Sequence, residues 1–190
     1  MKKIVSLLSG LSLAACSVAG IRSSPEPAYQ VQLQDGPFEI RSYPALWVAE
    51  TSVTGSYSDA SSTGFRRLAG YIFGQNDRQE KIAMTAPVIQ ESEGVDWHMT
   101  FVMPDGYSQD KLPSPLDGSV SFKPVPPRKI AVIRYSGSLN EAAIAANSQK
   151  LIDWLGTRGL RQISPTRSAA YDPPWTIPLL RRNEIHVDIE

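Results

Sequence analysis

Residues 46–73 read LWVAETSVTGSYSDASSTGFRRLAGYIF, and their hydrophobic period changes midway. Up to Val53 the stretch has the Val, Ala and Thr content of a strand. From Asp59 to Phe73 the apolar residues Phe65, Leu68, Ala69 and Ile72 recur at three- and four-residue spacing, which predicts one face of an amphipathic helix. Gly74 is placed to end it, because helices commonly stop at a left-handed residue.

Outward from this stretch the same order of elements appears twice. Tyr29 to Leu33 and Phe38 to Tyr43 flank Asp35-Gly36, a hairpin turn signal. Ile82 to Gln90 and Trp97 to Met103 follow as strands. In the second half, Val120 to Val125 and Ile130 to Tyr135 precede a helix carrying Ile144, Leu151, Ile152 and Leu155 on one face. Ser138 and Glu141 have the spacing of a capping box, and Gly156 or Gly159 ends the helix. Ser168 to Tyr171 and Glu184 to Ile189 close the chain. Val53-Thr54-Gly55-Ser56 ahead of the first helix parallels Tyr135-Ser136-Gly137-Ser138 ahead of the second. The expectation is an α+β fold: duplicated strand-strand-helix-strand-strand units forming a curled, barrel-like antiparallel sheet with two helices. Neither half alone is long enough for a sufficient core, so residues 29–190 read as one domain, with Pro104 to Pro115 as the link.

The N-terminus reads differently. Lys2 and Lys3 precede a short apolar run from Ile4 to Ala15, well under the roughly 20 residues needed to span a bilayer. It has the form of an export signal over residues 1–15. Leu13-Ala14-Ala15-Cys16 resembles the bacterial lipobox, which implies diacylation of Cys16; two acyl chains make a stable anchor. Residues 16–28 are then the lipidated Cys and a flexible tether rich in Ser, Pro, Gly and Ala. Ser17 after the Cys, by resemblance to Gram-negative lipoproteins, implies an outer-membrane protein facing the periplasm. Cys16 is the single cysteine, so the core has to hold without an internal disulfide.

Composition narrows the function. Zero formal net charge and a pI near 6.7 leave no electrostatic footprint for nucleic acid. There is no Gly-x-Ser-x-Gly, no phosphate loop and no thiol left after acylation, so the chain is not read as an enzyme. Strand alternation puts Trp97, Met99, Phe101 and Met103 on one face, as core or pocket lining, and His98 with Thr100 and Val102 on the other. His186 alternates with Ile185 and Val187 and is expected to face water. Arg66-Arg67 and Arg181-Arg182 are either a solvated surface or partners for a ligand carboxylate.

Several longer stretches carry a family likeness: FEIRSY at 38–43, GYIFGQN at 70–76, KIAMTAPV at 81–88, FVMP at 101–104, YDPPWT at 171–176 and Asn183-Glu184. On these the chain resembles the SOUL haem-binding proteins from Tyr29 to Glu190. The resemblance implies a reversible b-type haem, or a related tetrapyrrole, held as a ligand in an exposed apolar groove beside the first helix. Phe65, Leu68, Ala69 and Ile72 would contact the ring. Arg41, Arg66 or Arg67 would meet the propionates. Relatives carry Met and basic side chains where this chain has Phe65, Ala69 and Gly70. His98 is the candidate axial ligand, set against an ordinary polar strand position. The implied function is a lipid-anchored, non-enzymatic carrier or buffer. Its partners are the tetrapyrrole and, through the anchor, the membrane. The alternative is a structural or protein-interaction lipoprotein that keeps the fold without haem.

Overall fold

A computed structural model describes residues 24–108 and 110–190. The expected signal sequence and Cys16 lie outside the described residues. Among those described, the strands are β1 Gln30–Asp35, β2 Phe38–Tyr43, β3 Leu46–Thr54, β4 Val88–Glu93, β5 Asp96–Val102, β6 Ser121–Val125, β7 Arg128–Tyr135, β8 Arg167–Ala170 and β9 Asn183–Asp188. Helix α1 spans Tyr57–Ile72 and helix α2 spans Glu141–Thr157. All nine strands join one antiparallel sheet in the order β1-β2-β7-β9-β8-β4-β5-β3-β6.

That order contains the duplication. β3, α1, β4 and β5 correspond to β7, α2, β8 and β9, and the two triplets meet where β4 pairs β8. The leading strand of each unit crosses over. β2 pairs β7 of the second unit, and β6 pairs β3 of the first. The α+β expectation of a curled, duplicated half-barrel is the observed fold.

The two glycine landmarks also match. Gly55 and Gly137 both have positive φ, 135° and 110°, the conformation that lets the chain leave a strand and turn toward a helix. Ser56 then caps α1, its side chain accepting from the Asp59 N–H. The second cap departs from expectation. Asn140, not Ser138, caps α2 by accepting from the Ala143 N–H, so no capping box forms. Asn binds the orphan amides as well as Ser does, and the helix starts two residues later than a Ser138 cap implies. At the other end Gly159, not Gly156, takes the left-handed position, at φ 64°.

A second departure lies before β4. Residues 82–87 are not strand. The Ile82 N–H donates to the Ile72 carbonyl at the end of α1, and the Ala86 N–H donates to Pro25. With those donors engaged and Pro87 lacking one, pairing begins only at Val88. Glu26 also pairs with Arg182 at 3.0 Å, so residues 25 and 26, expected within the tether, are docked on the domain.

Both helices pack on one face of the sheet. Under α1, Leu68, Tyr71 and Ile72 meet Ala49, Met99 and Phe101. Gly64 permits the close approach, since a Cβ there would stand 3.1 Å from the Met99 Cβ. Under α2, Leu151, Trp154 and Leu155 meet Ala131, Ile133, Ile185 and Val187. A third cluster fills the opposite, concave face: Tyr43, Leu46, Val48, Ile89, Val102, Ile130, Val132, Ala169 and Tyr171. Both faces of the central strands are therefore buried, which exceeds what a one-sided sheet requires.

Candidate functional site

Every second residue of the inner strands points into the concave side. β3 contributes Leu46, Val48 and Glu50. β5 contributes His98, Thr100 and Val102, and β4 contributes Ile89, Glu91 and Glu93. Arg167 of β8, Asp188 of β9 and Arg128 of β7 complete the far wall. Pro124 to Lys129, with Ile163, form the rim. Together they enclose a groove of about 680 Å³. This falls inside the usual size of small-molecule sites, about 300–1,000 Å³.

The groove has an apolar floor and a charged wall. Val48, Ile89 and Val102 are buried floor residues. On the wall, Asp188 is shared by two guanidiniums. Arg167 donates to it at 2.5 and 3.1 Å, and Arg128 stands 3.6 Å away. Burial, and then repulsion from Arg167, pushes the Arg128 pKa down from its ordinary value. The Nε–H groups of both arginines are buried without a hydrogen-bond partner. Two cations thus face one nearby carboxylate, and the second, Glu91, is 4.0 Å from Arg167. Such a wall can accept an anionic group. The opposite end is acidic, with Glu50 and Glu93, and Lys123 lies 3.9 Å from Glu50.

Deeper on the same face lies a buried ionic network. Glu184, fully buried, receives both terminal nitrogens of Arg41 at 2.8 and 3.0 Å. It also accepts from Arg182 at 2.8 Å and from the Tyr171 hydroxyl at 2.8 Å. His186 Nε2 lies 2.7 Å from the same carboxylate. Burial alone would raise the Glu184 pKa, but the hydrogen bonds from His186 and Arg41 hold it well below the carboxylate range. Burial pushes His186 down, so it stays neutral and donates through Nε2. The same burial pushes Tyr43 up to about 12.

This geometry corrects several sequence expectations. Leu68, Ala69 and Ile72 do not form a surface. They are the core contact of α1, and Leu68 is 0% exposed. A helix on a sheet must turn its apolar stripe inward, so substitutions at Leu68 test folding and not binding. Of that set only Phe65 reaches solvent, edge-on to Phe101. Arg41 is 1% exposed and committed to Glu184 and Glu39, so it cannot meet a propionate. Arg66 is exposed, whereas Arg67 is turned onto the Ser52 carbonyl at 2.9 Å. Met99, Phe101 and Met103 are core. His186 is buried, not in water, because the curled sheet covers the face that alternation assigns to solvent. Arg182 is likewise no surface cation.

His98 lies at the acidic end of the groove, partly exposed, with Nε2 2.9 Å from Glu93. Among the described residues no three His, Cys, Asp or Glu side chains are grouped to hold a metal ion. No described helix is long and apolar enough to cross a membrane. The inward charges of β8 and β9 were the signal sequence reading lacked. Glu184, His186 and Asp188 alternate with Ile185, Val187 and Ile189, a pattern that also fits an ordinary exposed face, and Arg167 sits between Thr166 and Ser168.

Comparison with known proteins places this geometry in a family. A family model described as SOUL heme-binding protein matches residues 24–188. Heme-binding protein 1 of Xenopus laevis is 28% identical over 156 residues, covering 78% of this chain and 81% of that protein. Heme-binding protein 2 of Homo sapiens is 46% identical over 56 residues, but this match spans only 27% of its length. Among solved structures, the EcmrR C-terminal domain superposes with a TM-score of 0.63 at 13% identity, covering 85% of this chain and 98% of that one. A hydrolase from Listeria innocua superposes at 0.58, also at 13% identity, covering 84% and 94%. Both likenesses concern the fold alone. The match across nearly the whole described region, with the duplicated half-barrel that underlies it, means that this chain belongs to the SOUL heme-binding protein family.

Proposed function

We propose that this chain is a non-enzymatic, lipid-anchored envelope protein that binds haem or a related tetrapyrrole reversibly. Family membership supports the ligand class. The observation that carries the site is the concave groove: about 680 Å³, an apolar floor, and the guanidiniums of Arg128 and Arg167 on its wall. A porphyrin presents a flat apolar body and two carboxylates. Val48, Ile89, Val102 and the Pro124 to Pro127 rim take the body. Arg128 and Lys123 take the carboxylates, in exchange for their present long contacts to Asp188 and Glu50. Apolar burial gains about 25 cal/mol per Å² removed from water, so no iron ligand is required for modest affinity.

Residues 1–15 direct export, Cys16 takes the acyl chains, and the protein faces the periplasm from the outer membrane. The basic flank, apolar run and Leu13-Ala14-Ala15-Cys16 support this reading. Cys16→Ser is expected to release the protein from membranes or block its processing. Acyl chains retained on the substituted protein would refute the anchor.

For the ligand, titrating the full chain with haemin is expected to give a saturable Soret shift. Arg128→Ala should weaken it. His98→Ala should leave affinity within about threefold, less than the factor of ten that 1.4 kcal/mol represents, because His98 is held at the acidic end of the groove by Glu93. Loss of the shift in His98→Ala alone would establish axial ligation instead. No shift in the unsubstituted chain with excess haemin would favour the interaction-lipoprotein reading.

A further inference from the structure

The longest connection in the second half, between β8 and β9, holds an apolar cluster out of the protein. Trp175 is 64% exposed, Ile177 48%, Leu179 79% and Leu180 47%. No other described segment carries four large apolar side chains at such exposure within six residues. Isolated exposed apolar residues are ordinary, but a contiguous group is not.

The loop is built to present them. Arg181 folds beneath it, with Nε donating to the Thr176 carbonyl at 2.8 Å and Nη2 donating to the Pro174 carbonyl at 2.5 Å. Thr176 is fully buried and serves as the loop's inward pin. A 3-10 turn over Pro178–Leu180 begins with proline, and the Gly137 N–H holds the Pro178 carbonyl at 2.9 Å. Pro173, Pro174 and Pro178 limit the backbone further. These bonds and prolines hold the loop with its apolar side chains outward. Beside it, Arg134 is exposed and lines a shallow hollow of about 500 Å³ with Leu179, Leu180 and Arg181.

The N-terminal segment arrives at the base of this loop. Arg182, its last residue, donates to Glu26, and the Arg182 N–H donates to Asp172 at the loop's start. From Pro25 back to Cys16 the chain can extend at most about 30 Å, at roughly 3.3–3.6 Å per residue. An anchor at Cys16 therefore keeps the loop within reach of the bilayer surface.

We propose that residues 173–181 are a membrane-contact loop. Trp175, Ile177, Leu179 and Leu180 enter the interfacial layer of a lipid bilayer, and Arg134 meets its anionic headgroups. An amphipathic indole suits that depth, and a guanidinium suits phosphate. The loop thereby orients the domain on the membrane, which a lipid anchor alone does not do. The proposal shares with the anchor reading only the side of the molecule that faces lipid.

The test is quenching of tryptophan emission. The full chain and its Cys16→Ser form are each mixed with vesicles of phosphatidylethanolamine and phosphatidylglycerol bearing brominated acyl chains. The expected result is quenching that is mostly lost in Trp175→Phe and reduced in Leu179→Ser/Leu180→Ser, with the circular dichroism melt unchanged in both. If Trp175→Phe shows the same quenching as the unsubstituted chain, or no quenching arises at all, the proposal is overturned. A chain that co-floats through Cys16 with Trp175 unquenched overturns the loop and leaves the anchor standing. Quenching of Trp175 in Cys16→Ser upholds the loop whatever becomes of the anchor. Unquenched Trp175 with a chain dimer that Leu179→Ser dissolves would make the loop a protein interface, also overturning the proposal.

Discussion

Glu184→Ala is expected to lower stability by about 3–5 kcal/mol, the usual consequence of removing one partner from a buried ion pair. For a domain of this size that is roughly 6–20 °C in melting temperature. The cause is specific. Glu184 is the single carboxylate that holds both Arg41 and Arg182 at 3.0 Å or less on this face, and its loss leaves Arg41 buried with only Glu39. Tyr171 and His186 lose their acceptor at the same time. Thermal denaturation checks the size, and a change below about 1 kcal/mol would show that water or a rearranged Glu39 replaces the network.

The same network sets an acid limit. Glu184 titrates in the folded protein well below its ordinary value of 4.5, so its contribution is present above that value and lost as pH falls through the folded pKa. His186, depressed below 6.5, acts in the same direction: on acidification the unfolded chain takes the proton first. The melting temperature should therefore begin to fall just below pH 6.5 and fall further below 4.5. His186→Asn should flatten the first part of that slope while leaving the second.

Thr100→Trp is expected to weaken haemin binding tenfold or more, equivalent to 1.4 kcal/mol, without unfolding the protein. Thr100 points into the middle of the groove and is only partly buried, so an indole there occupies the space a porphyrin needs. Phe65→Ser, on the outer edge of α1, should leave affinity unchanged. The comparison distinguishes the concave groove from the helix face that family resemblance suggests. The reverse outcome, loss in Phe65→Ser and none in Thr100→Trp, would return the ligand to α1.

The elements themselves were legible because their signals are local. The change of period at Asp59, the hairpin at Asp35-Gly36 and the paired Gly55 and Gly137 depend on residues close in sequence. The repeated order then sufficed for the duplicated fold. The site was not legible for a physical reason. Whether His186 faces water or protein depends on how far the sheet curls, and curl is a property of nine strands together. Arg41 and Glu184 are 143 positions apart, and no pattern near either one announces the other. For α1, the stripe that locates the helix is the stripe the core consumes, so it could not also be the ligand surface.

The crossing of β2 and β6 has a consequence for how the protein comes apart. Each half lends the strand that precedes its triplet to the other, so the chain is bound to itself as two exchanged subunits would be. Separating the halves would strip an edge from both triplets at once and expose unpaired backbone on each. The groove and the ionic network draw residues from both halves, Glu50, His98 and Arg41 from one and Arg128, Arg167 and Glu184 from the other. Groove and scaffold therefore depend on the same docking of the two halves.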